Sequence, residues 1–189
     1  MRIVGGTLKG RNIKCPDGVI RPAMDKMKES VFSIIGENII DKSFLDLFSG
    51  SGSIALEASS RGAKPVSLVE KDKIKTKTVL ENVSISPERI NCHFVSVELF
   101  IKRNKESFDY IFCDPPFPYN FHEDLVGMCC TYNTLKKGGT LMIHHPSEKP
   151  LSENIKDFIL VDQRTFGRSI VDFYKWKDCD NQDSSQNTQ

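Results

Sequence analysis

The sequence predicts an α/β protein built on an open, doubly wound sheet whose strands are mostly parallel. From residue 42 onward, short apolar runs alternate with segments that have the periodicity of helices. The apolar runs are nearly continuous, which is typical of strands buried on both faces of a parallel sheet. Two further runs near the carboxyl terminus flank Gly167 and predict a hairpin that adds an antiparallel closing strand.

Each element follows from a local pattern. Apolar runs bounded by turn-forming residues predict seven strands, at residues 43–48, 66–70, 91–95, 108–113, 140–145, 158–164 and 170–176. Apolar residues at helical spacing predict the intervening helices, at residues 53–60, 73–83, 97–103 and 122–135. Because strand–helix–strand crossovers are right-handed, these helices cover both faces of one sheet.

The first 41 residues have a different pattern and are predicted to form a small amino-terminal extension. Three glycines in the first ten residues indicate short strands and tight turns, and Arg21-Pro22 opens a helix. Apolar residues at helical spacing predict the face of this helix that packs on the core, at Met24, Met27, Val31, Ile34 and Ile35. Lys26 and Lys28 are predicted to lie off that face. We expect residues 42–177 to form the α/β domain and the polar residues 178–189 to form a disordered tail.

Charge is balanced overall but not locally. The 189 residues contain 26 Lys and Arg against 25 Asp and Glu, which excludes a uniformly basic protein that coats nucleic acid. Residues 1–28, however, hold seven basic and two acidic residues, a local net charge of +5. This basic segment is either a solvated surface or a contact for phosphates.

Several function classes are disfavoured by what the sequence lacks. The six cysteines form no C-x-x-C pair, so we expect neither a zinc ribbon nor a thioredoxin-type motif, and we predict no metal site. Basic residues interrupt the amino terminus, which argues against a secretory signal, and no apolar run approaches the roughly 18 residues of a membrane span. We expect a cytoplasmic protein with free thiols and no membrane contact.

A glycine turn after the first predicted strand has the features of a nucleotide-binding loop. Asp46 and Phe48 lie at the carboxyl end of that strand, and Gly50 and Gly52 allow a sharp turn and a close backbone approach to a ligand. Glu70 ends the second strand, where a carboxylate accepts hydrogen bonds from ribose hydroxyls, and Lys71 follows it. The alternative is a structural glycine turn without a ligand.

Two cofactors fit this loop, NAD and S-adenosylmethionine. The spacing from Gly50 to Ala55 matches G-x-G-x-x-G/A, and Glu70 lies at the distance expected of a dinucleotide site. Against NAD, the chain has no room for a separate substrate domain, and Asp46 is poorly suited to a pyrophosphate. A carboxylate at that position suits the ammonium of an amino acid or the sulfonium-bearing half of S-adenosylmethionine.

The second motif is Asp114-Pro115-Pro116-Phe117, directly after a buried strand. Carboxyl ends of strands in open α/β sheets bind ligands, so this motif is expected beside the cofactor. The prolines stiffen the loop, and the Asp114 carboxylate and the Pro115 carbonyl present two acceptors that suit a flat NH₂ donor. Phe117 offers a face on which a base can stack. A strand that merely ends in prolines is the alternative.

These motifs resemble a known group of enzymes. Asp46, the Gly50-x-Gly52 turn, Glu70 and the Asp114–Phe117 motif resemble the class I S-adenosylmethionine-dependent methyltransferases that modify exocyclic amines. The amino-terminal residues resemble the RsmD family in three stretches, namely Arg2-Ile-Val-Gly-Gly6 with Gly10-Arg11, Arg21-Pro22, and Lys28-Glu-Ser-Val-Phe32. The resemblance runs from about Arg2 to Trp176.

The resemblance implies a Rossmann-like fold and methylation of the N2 amine of guanine 966 in 16S rRNA. The resemblance implies S-adenosylmethionine as the cofactor and small-subunit rRNA, within an assembled or assembling 30S particle, as the partner. It also implies that the protein is a monomer. The implied catalytic residues are Asp114, Pro115 and Phe117. The implied cofactor-binding residues are Asp46, Phe48, Gly50, Gly52, Glu70, Lys71, Val97 and Asp114, and the implied RNA-binding residues are Arg2, Arg11, Arg21 and Lys28.

The chain departs from the family pattern at three places. Ala23 stands where Thr is usual, Lys28 stands where Arg is usual, and Ser96-Val97-Glu98 stands where an Asp or Asn usually contacts the adenine. The backbone N–H of Val97 is therefore the candidate adenine contact. Two other functions remain open, a DNA adenine-N6 methyltransferase and a ribosome-binding protein that keeps the fold without turnover.

Overall fold

The computed structural model describes residues 1–16, 25–116 and 118–177. The helices are α1 (Asp25–Ile35), α2 (Ser53–Ser60), α3 (Thr76–Val83), α4 (Val97–Arg103) and α5 (His122–Thr131). The strands are β1 (Phe44–Leu47), β2 (Val66–Val69), β3 (Ile90–His93), β4 (Phe108–Cys113), β5 (Leu135–Pro146), β6 (Asn154–Ile155), β7 (Phe158–Phe166) and β8 (Ser169–Trp176). Short 3₁₀ turns lie at Gly6–Leu8, Gly36–Ile39 and Lys73–Lys75.

All eight strands of the described part of the chain form one sheet in the order β3-β2-β1-β4-β5-β8-β7-β6. The first five strands pair in parallel, and β5–β8, β8–β7 and β7–β6 pair antiparallel. The predicted doubly wound, mostly parallel sheet with its closing hairpin is confirmed. The two-residue strand β6 was not predicted, because so short a run has no periodicity to detect.

The prediction placed the end of one helix wrongly. Residues 122–135 were predicted as helix, but α5 ends at Thr131 and β5 already begins at Leu135. Asn133 adopts a φ of 50°, in the left-handed region, and so ends the helical path. The predicted helix at residues 73–83 begins with a 3₁₀ turn, and α3 starts at Thr76.

Hydrophobic residues cover both faces of the sheet. In β1, Phe44 belongs to one buried cluster, whereas Leu45 and Leu47 belong to the other. In β4, Phe112 and Ile111 are divided in the same way, because successive residues of a strand point to opposite faces. Strands β1 and β2 are buried at every position, as expected of a parallel sheet covered by helices.

The amino-terminal segment packs on the first of these clusters. Ile3 and Ile13 are buried there beside Met27, Val31 and Ile35 of α1, three of the residues predicted to face the core. The prediction for Ile34 is wrong, since its side chain is 40% exposed. Met24 and the Arg21-Pro22 helix start lie outside the described residues, as does the predicted tail at 178–189.

The strand order reverses its direction at β1. The chain moves from β1 outward to β2 and β3, then returns to the other side of β1 to form β4 and β5. At such a switch of direction the loops after the two central strands diverge and leave room for a ligand. The loops after β1 and β4 are those that carry the two predicted motifs.

Candidate active site

The glycine loop, residues 48–52, depends on backbone conformations that few residues adopt. Phe48, Gly50 and Gly52 have φ values of 62°, 60° and 81°. A Cβ at Gly50 would meet only the Phe48 carbonyl oxygen, at 4.0 Å, so conformation alone requires glycine there. A Cβ at Gly52 would lie 3.3 Å from Val83 and 3.6 Å from Leu68, so this glycine serves close packing against the protein. Phe48 has a side chain yet adopts the left-handed region, a strain typical of functional loops.

Asp46 is buried beneath this loop. Its side chain is 1% exposed, and its Oδ2 accepts a hydrogen bond of 3.1 Å from the N–H of Ala55 in the first turn of α2. Burial raises the pKa of Asp46 to about 8. A cation brought to this carboxyl would therefore favour its ionised form and displace a proton.

Glu70 follows β2 and is fixed by backbone donors. Its Oε2 accepts from the N–H of Gly50 at 2.9 Å, and its Oε1 accepts from the N–H of Asp72 at 2.8 Å. Lys75 Nζ lies 3.5 Å from Oε2. Oε1 therefore keeps capacity for a further hydrogen bond, whereas Oε2 already has two donors, and a second ribose hydroxyl would have to replace the long contact with Lys75. Lys71, the next residue, is exposed.

The Asp-Pro-Pro loop, residues 114–116, starts directly beside the end of β1. The N–H of Asp114 donates to the carbonyl of Leu47 at 3.2 Å, so the two motifs lie on adjacent strand ends. The carboxylate of Asp114 is half-buried, with Oδ1 2.8 Å from Nδ1 of His144. Pro115 is buried. Phe117, predicted to stack on a base, lies outside the described residues.

The start of α4 follows β3 and lies at the same carboxyl end of the sheet. Ser96 caps the helix, its Oγ accepting from the N–H of Leu99 at 3.2 Å, and the side chain of Val97 is buried. Glu98 is bonded to the hydroxyl of Tyr119 at 3.2 Å, just beyond the Asp-Pro-Pro loop. The predicted adenine contact at Val97 therefore lies on an element that is linked to the second motif.

Lys28 does not occupy the position that the sequence predicted. Its side chain is 0% exposed, although it was expected off the core face and in contact with RNA phosphates. Its Nζ donates to the carbonyl of Arg2 at 2.6 Å and lies 3.3 Å from Oδ1 of Asp25. The charge is neutralised inside the fold, so Lys28 ties α1 to the amino-terminal segment and is not available to a phosphate.

The other predicted RNA contacts differ in exposure and pairing. Arg2 is 61% exposed, with its Nε 3.0 Å from Oδ2 of Asp25. Arg11 is exposed. Arg21 lies outside the described residues.

Two polar residues that the sequence analysis missed attach the basic segment to the site. Asn82 donates from Nδ2 to the carbonyls of Ser51 and Lys14, both at 2.9 Å, and accepts from the N–H of Lys14 at 2.9 Å. Glu57 accepts from the N–H of Val4 at 2.8 Å. Both are buried polar side chains inside helices, a signal that appears only when burial is known.

Within the described ranges, no three His, Cys, Asp or Glu side chains are grouped so as to hold a metal ion. In the same part of the chain, no helix has both the length and the apolar composition needed to cross a bilayer.

A family model described as conserved hypothetical protein 95 matches residues 1–175. The chain belongs to this family, the RsmD family. Among its relatives is the ribosomal RNA small subunit methyltransferase D of Haemophilus influenzae, which is 32% identical over 173 residues. That match covers 88% of this chain and 89% of the relative.

Solved structures of similar proteins share the fold over nearly the whole chain. The H. influenzae protein HI0767 is 30% identical, with a TM-score of 0.78 and coverage of 94% of this chain and 98% of that one. The Escherichia coli protein yhhF has a TM-score of 0.85 at 24% identity, with coverage of 94% and 98%. The latter likeness concerns the fold.

Proposed function

We propose that this protein is a methyltransferase that transfers a methyl group from S-adenosylmethionine to the N2 amine of guanine 966 in 16S rRNA. The observation that carries the proposal is the hydrogen bond from the N–H of Asp114 to the carbonyl of Leu47. It joins a loop suited to a nucleoside cofactor to a loop suited to an NH₂ group. Family membership and the name of the H. influenzae relative support rRNA as the substrate.

The residues after β1 and β2 fit an adenosyl group with an amino-acid tail. Glu70 is held by backbone donors, with Oε1 free to accept from one ribose hydroxyl and Oε2 able to accept from a second if the 3.5 Å contact with Lys75 gives way. A Cβ on Gly50 would meet no atom closer than 4.0 Å, so the loop is not crowded there, and buried Asp46 suits the ammonium of the methionine part. We assign the adenine to the backbone N–H of Val97, with Phe48 and Lys71 flanking the nucleoside. When bound, S-adenosylmethionine supplies an electrophilic methyl group on a sulfonium.

The Asp-Pro-Pro loop is proposed to hold the amine. The carboxylate of Asp114 and the carbonyl of Pro115 accept the two hydrogens of the guanine NH₂, which directs the nitrogen lone pair toward the methyl group. Positioning of this kind contributes about 7–11 kcal/mol to lowering a barrier. The same acceptors stabilise the positive charge that develops on nitrogen as the N–C bond forms and the S–C bond breaks. The N-methylated cation then loses a proton, and no strong base is needed.

Base stacking and phosphate contacts complete the proposed substrate site. Phe117 is proposed to stack on the guanine, a contribution of about 1–3 kcal/mol. Arg2, Arg11 and Arg21 are proposed to contact phosphates from the proposed extension at residues 1–41. Ile3 and Ile13 of that extension are buried against the proposed domain at residues 42–177. Asn82 supports this arrangement because it bonds both the glycine loop and Lys14 of the basic segment. We propose that the protein acts as a monomer in the cytoplasm, on rRNA or on 30S particles.

Labelled S-adenosylmethionine tests this function. The protein is incubated with unmodified in vitro transcribed 16S rRNA, with 30S particles reconstituted from that rRNA, and with duplex DNA. We expect label in one or both RNA substrates and, after digestion to nucleosides, only as N2-methylguanosine. Label in DNA alone would support adenine-N6 methylation instead, and binding to 30S particles without label would support a ribosome-binding protein without turnover.

A further inference from the structure

His144, which from the sequence is either a structural residue or one close to the substrate, lies at the carboxyl end of the sheet. Its side chain is 11% exposed, and its Nδ1 lies 2.8 Å from Oδ1 of Asp114. Its Nε2 is buried and has no hydrogen-bond partner among the described residues. A buried imidazole that is bonded through only one nitrogen calls for an explanation.

The neighbouring His145 shows what a purely structural histidine looks like in this fold. Its Nδ1 is bonded to the carbonyl of Pro146 at 3.0 Å, and its Nε2 is bonded to Oδ2 of Asp172 at 2.9 Å. Gln163 donates to the other oxygen of Asp172 at 2.7 Å. This network is complete on both sides and lies away from the Asp-Pro-Pro loop. His144 instead directs its one bond at the loop carboxylate.

The sheet supports His144 firmly. Cys113 of β4 is in register with Ile143 of β5, so Asp114 and His144 are the next residues on two adjacent parallel strands. The backbone of His144 also lies within the antiparallel ladder, opposite Val171 of β8. The imidazole therefore sits on a rigid element, whereas Asp114 begins a loop.

The hydrogen bond restricts the carboxylate in a way that the prolines do not. A following proline limits the backbone of Asp114, but it leaves the side-chain torsions of Asp114 free. Because an ionised carboxylate only accepts hydrogen bonds, Nδ1 of His144 carries the hydrogen. This bond occupies Oδ1 and leaves Oδ2 to accept a hydrogen from a substrate.

We propose that His144 is a positioning residue that holds the Asp114 carboxylate in the orientation required by the substrate amine. This inference rests on the proposed function. It assigns no proton transfer to the imidazole, because the nitrogen that faces Asp114 already carries a hydrogen and the other nitrogen, Nε2, is buried. His144 acts through Asp114 and does not touch the reacting atoms.

Three substitutions distinguish positioning from packing. His144→Leu removes the donor, His144→Asn keeps an amide donor near the position of Nδ1, and His144→Gln, the matched control, moves the amide toward the position of Nε2. We expect Leu and Gln to lower kcat about 100-fold, since small misplacements at a reacting centre have effects of this size. KM for rRNA and affinity for S-adenosylmethionine should stay within about threefold, and Asn should restore most of kcat.

The outcomes decide between the two roles. Rescue by Asn but not by Gln, at equal melting temperatures, supports positioning. Wild-type kcat in His144→Leu, or equal kcat in the Asn and Gln variants, overturns it. In an Asp114→Asn background, His144→Leu should cause no further loss, and a fully additive loss would also overturn the proposal.

A spectroscopic measurement on the wild-type protein is independent of activity. In protein labelled with ¹⁵N-histidine, we expect the His144 hydrogen on Nδ1, and we expect it to exchange with solvent faster in Asp114→Ala. A hydrogen found only on Nε2 would overturn the proposal even if the substitutions failed to fold. If the wild type transfers no methyl group to any RNA, the proposed function fails, whereas this spectrum still decides whether His144 orients Asp114.

Discussion

The two loops that meet at the carboxyl ends of β1 and β4 are held very differently. The glycine loop is bonded on two sides by buried side chains, through Gly50 to Glu70 and through Ser51 to Asn82. The Asp-Pro-Pro loop is held at its first residue, Asp114, by the Leu47 carbonyl and by an imidazole. One loop is built into the core, whereas the other is stiffened by its own prolines.

This difference indicates which of the two reactants each loop binds in the proposed reaction. A preformed glycine loop is suited to one small, invariant ligand, because binding then requires little ordering of the protein. A half-buried loop at the surface is suited to a base on a large RNA, which must enter from outside. Substitutions in the two loops should therefore change different quantities.

The largest effect is expected at Asp114. Asp114→Asn keeps the shape but replaces one acceptor oxygen by a donor, so kcat should fall about 10²–10³-fold, as when one group that stabilises transition-state charge is removed. Cofactor affinity should stay within about twofold, because the glycine loop is untouched. Single-turnover methyl transfer and calorimetry measure the two quantities. Unchanged kcat would contradict the role of Asp114.

The next effect concerns stability of the glycine loop. Asn82→Ala removes three hydrogen bonds, a buried one to the Ser51 carbonyl and two half-buried ones to the backbone of Lys14. We expect the free energy of unfolding to fall by about 2–3 kcal/mol. Asn104→Ala is the control, because the bonds of Asn104 to Glu106 are exposed and its loss should cost under about 0.5 kcal/mol. Equal effects of the two substitutions in urea titrations would contradict the role of Asn82 in holding the glycine loop.

Cofactor affinity should depend on pH through Asp46. Burial raises the pKa of this carboxyl to about 8, so the free protein carries it protonated at neutral pH. An ammonium partner favours the ionised form, and binding should release a proton. Affinity for S-adenosylmethionine should rise by up to about tenfold per unit as the pH increases toward 8. Asp46→Asn should bind more weakly with a flat profile, and a flat profile in the wild type would contradict the assignment.

The smallest effect distinguishes two basic residues that look alike in the sequence. Arg11→Glu should weaken rRNA binding severalfold, with no change in melting temperature. The slope of log K against log salt concentration should fall by about one, as expected for the loss of one phosphate contact. Lys28→Met should lower the melting temperature, because the contact with the Arg2 carbonyl and the ion pair to Oδ1 of Asp25 are lost, leaving Asp25 only its pair with Arg2. Filter binding over a salt series and thermal melting separate the two. Weaker RNA binding by a fully stable Lys28→Met would restore the original interpretation of Lys28.

The parts of the fold that were predictable are those set by local chemistry. Apolar runs and turn residues predicted β4 and α2 at their observed bounds, and the glycine and proline motifs predicted which strand ends carry the site. Lys28 was mispredicted because its partners include a backbone carbonyl 26 residues away. The bond between His144 and Asp114 depends on the register of β4 against β5, which no local pattern encodes.

A crystal structure with S-adenosylhomocysteine bound tests the central claim most directly, because that claim is a geometric one. We predict the ribose hydroxyls on Glu70 and the sulfur directed at Asp114, with room for an amine nitrogen ~3–3.5 Å from a methyl group on that sulfur. An adenosyl group bound away from the glycine loop, or a sulfur directed away from Asp114, would contradict the account.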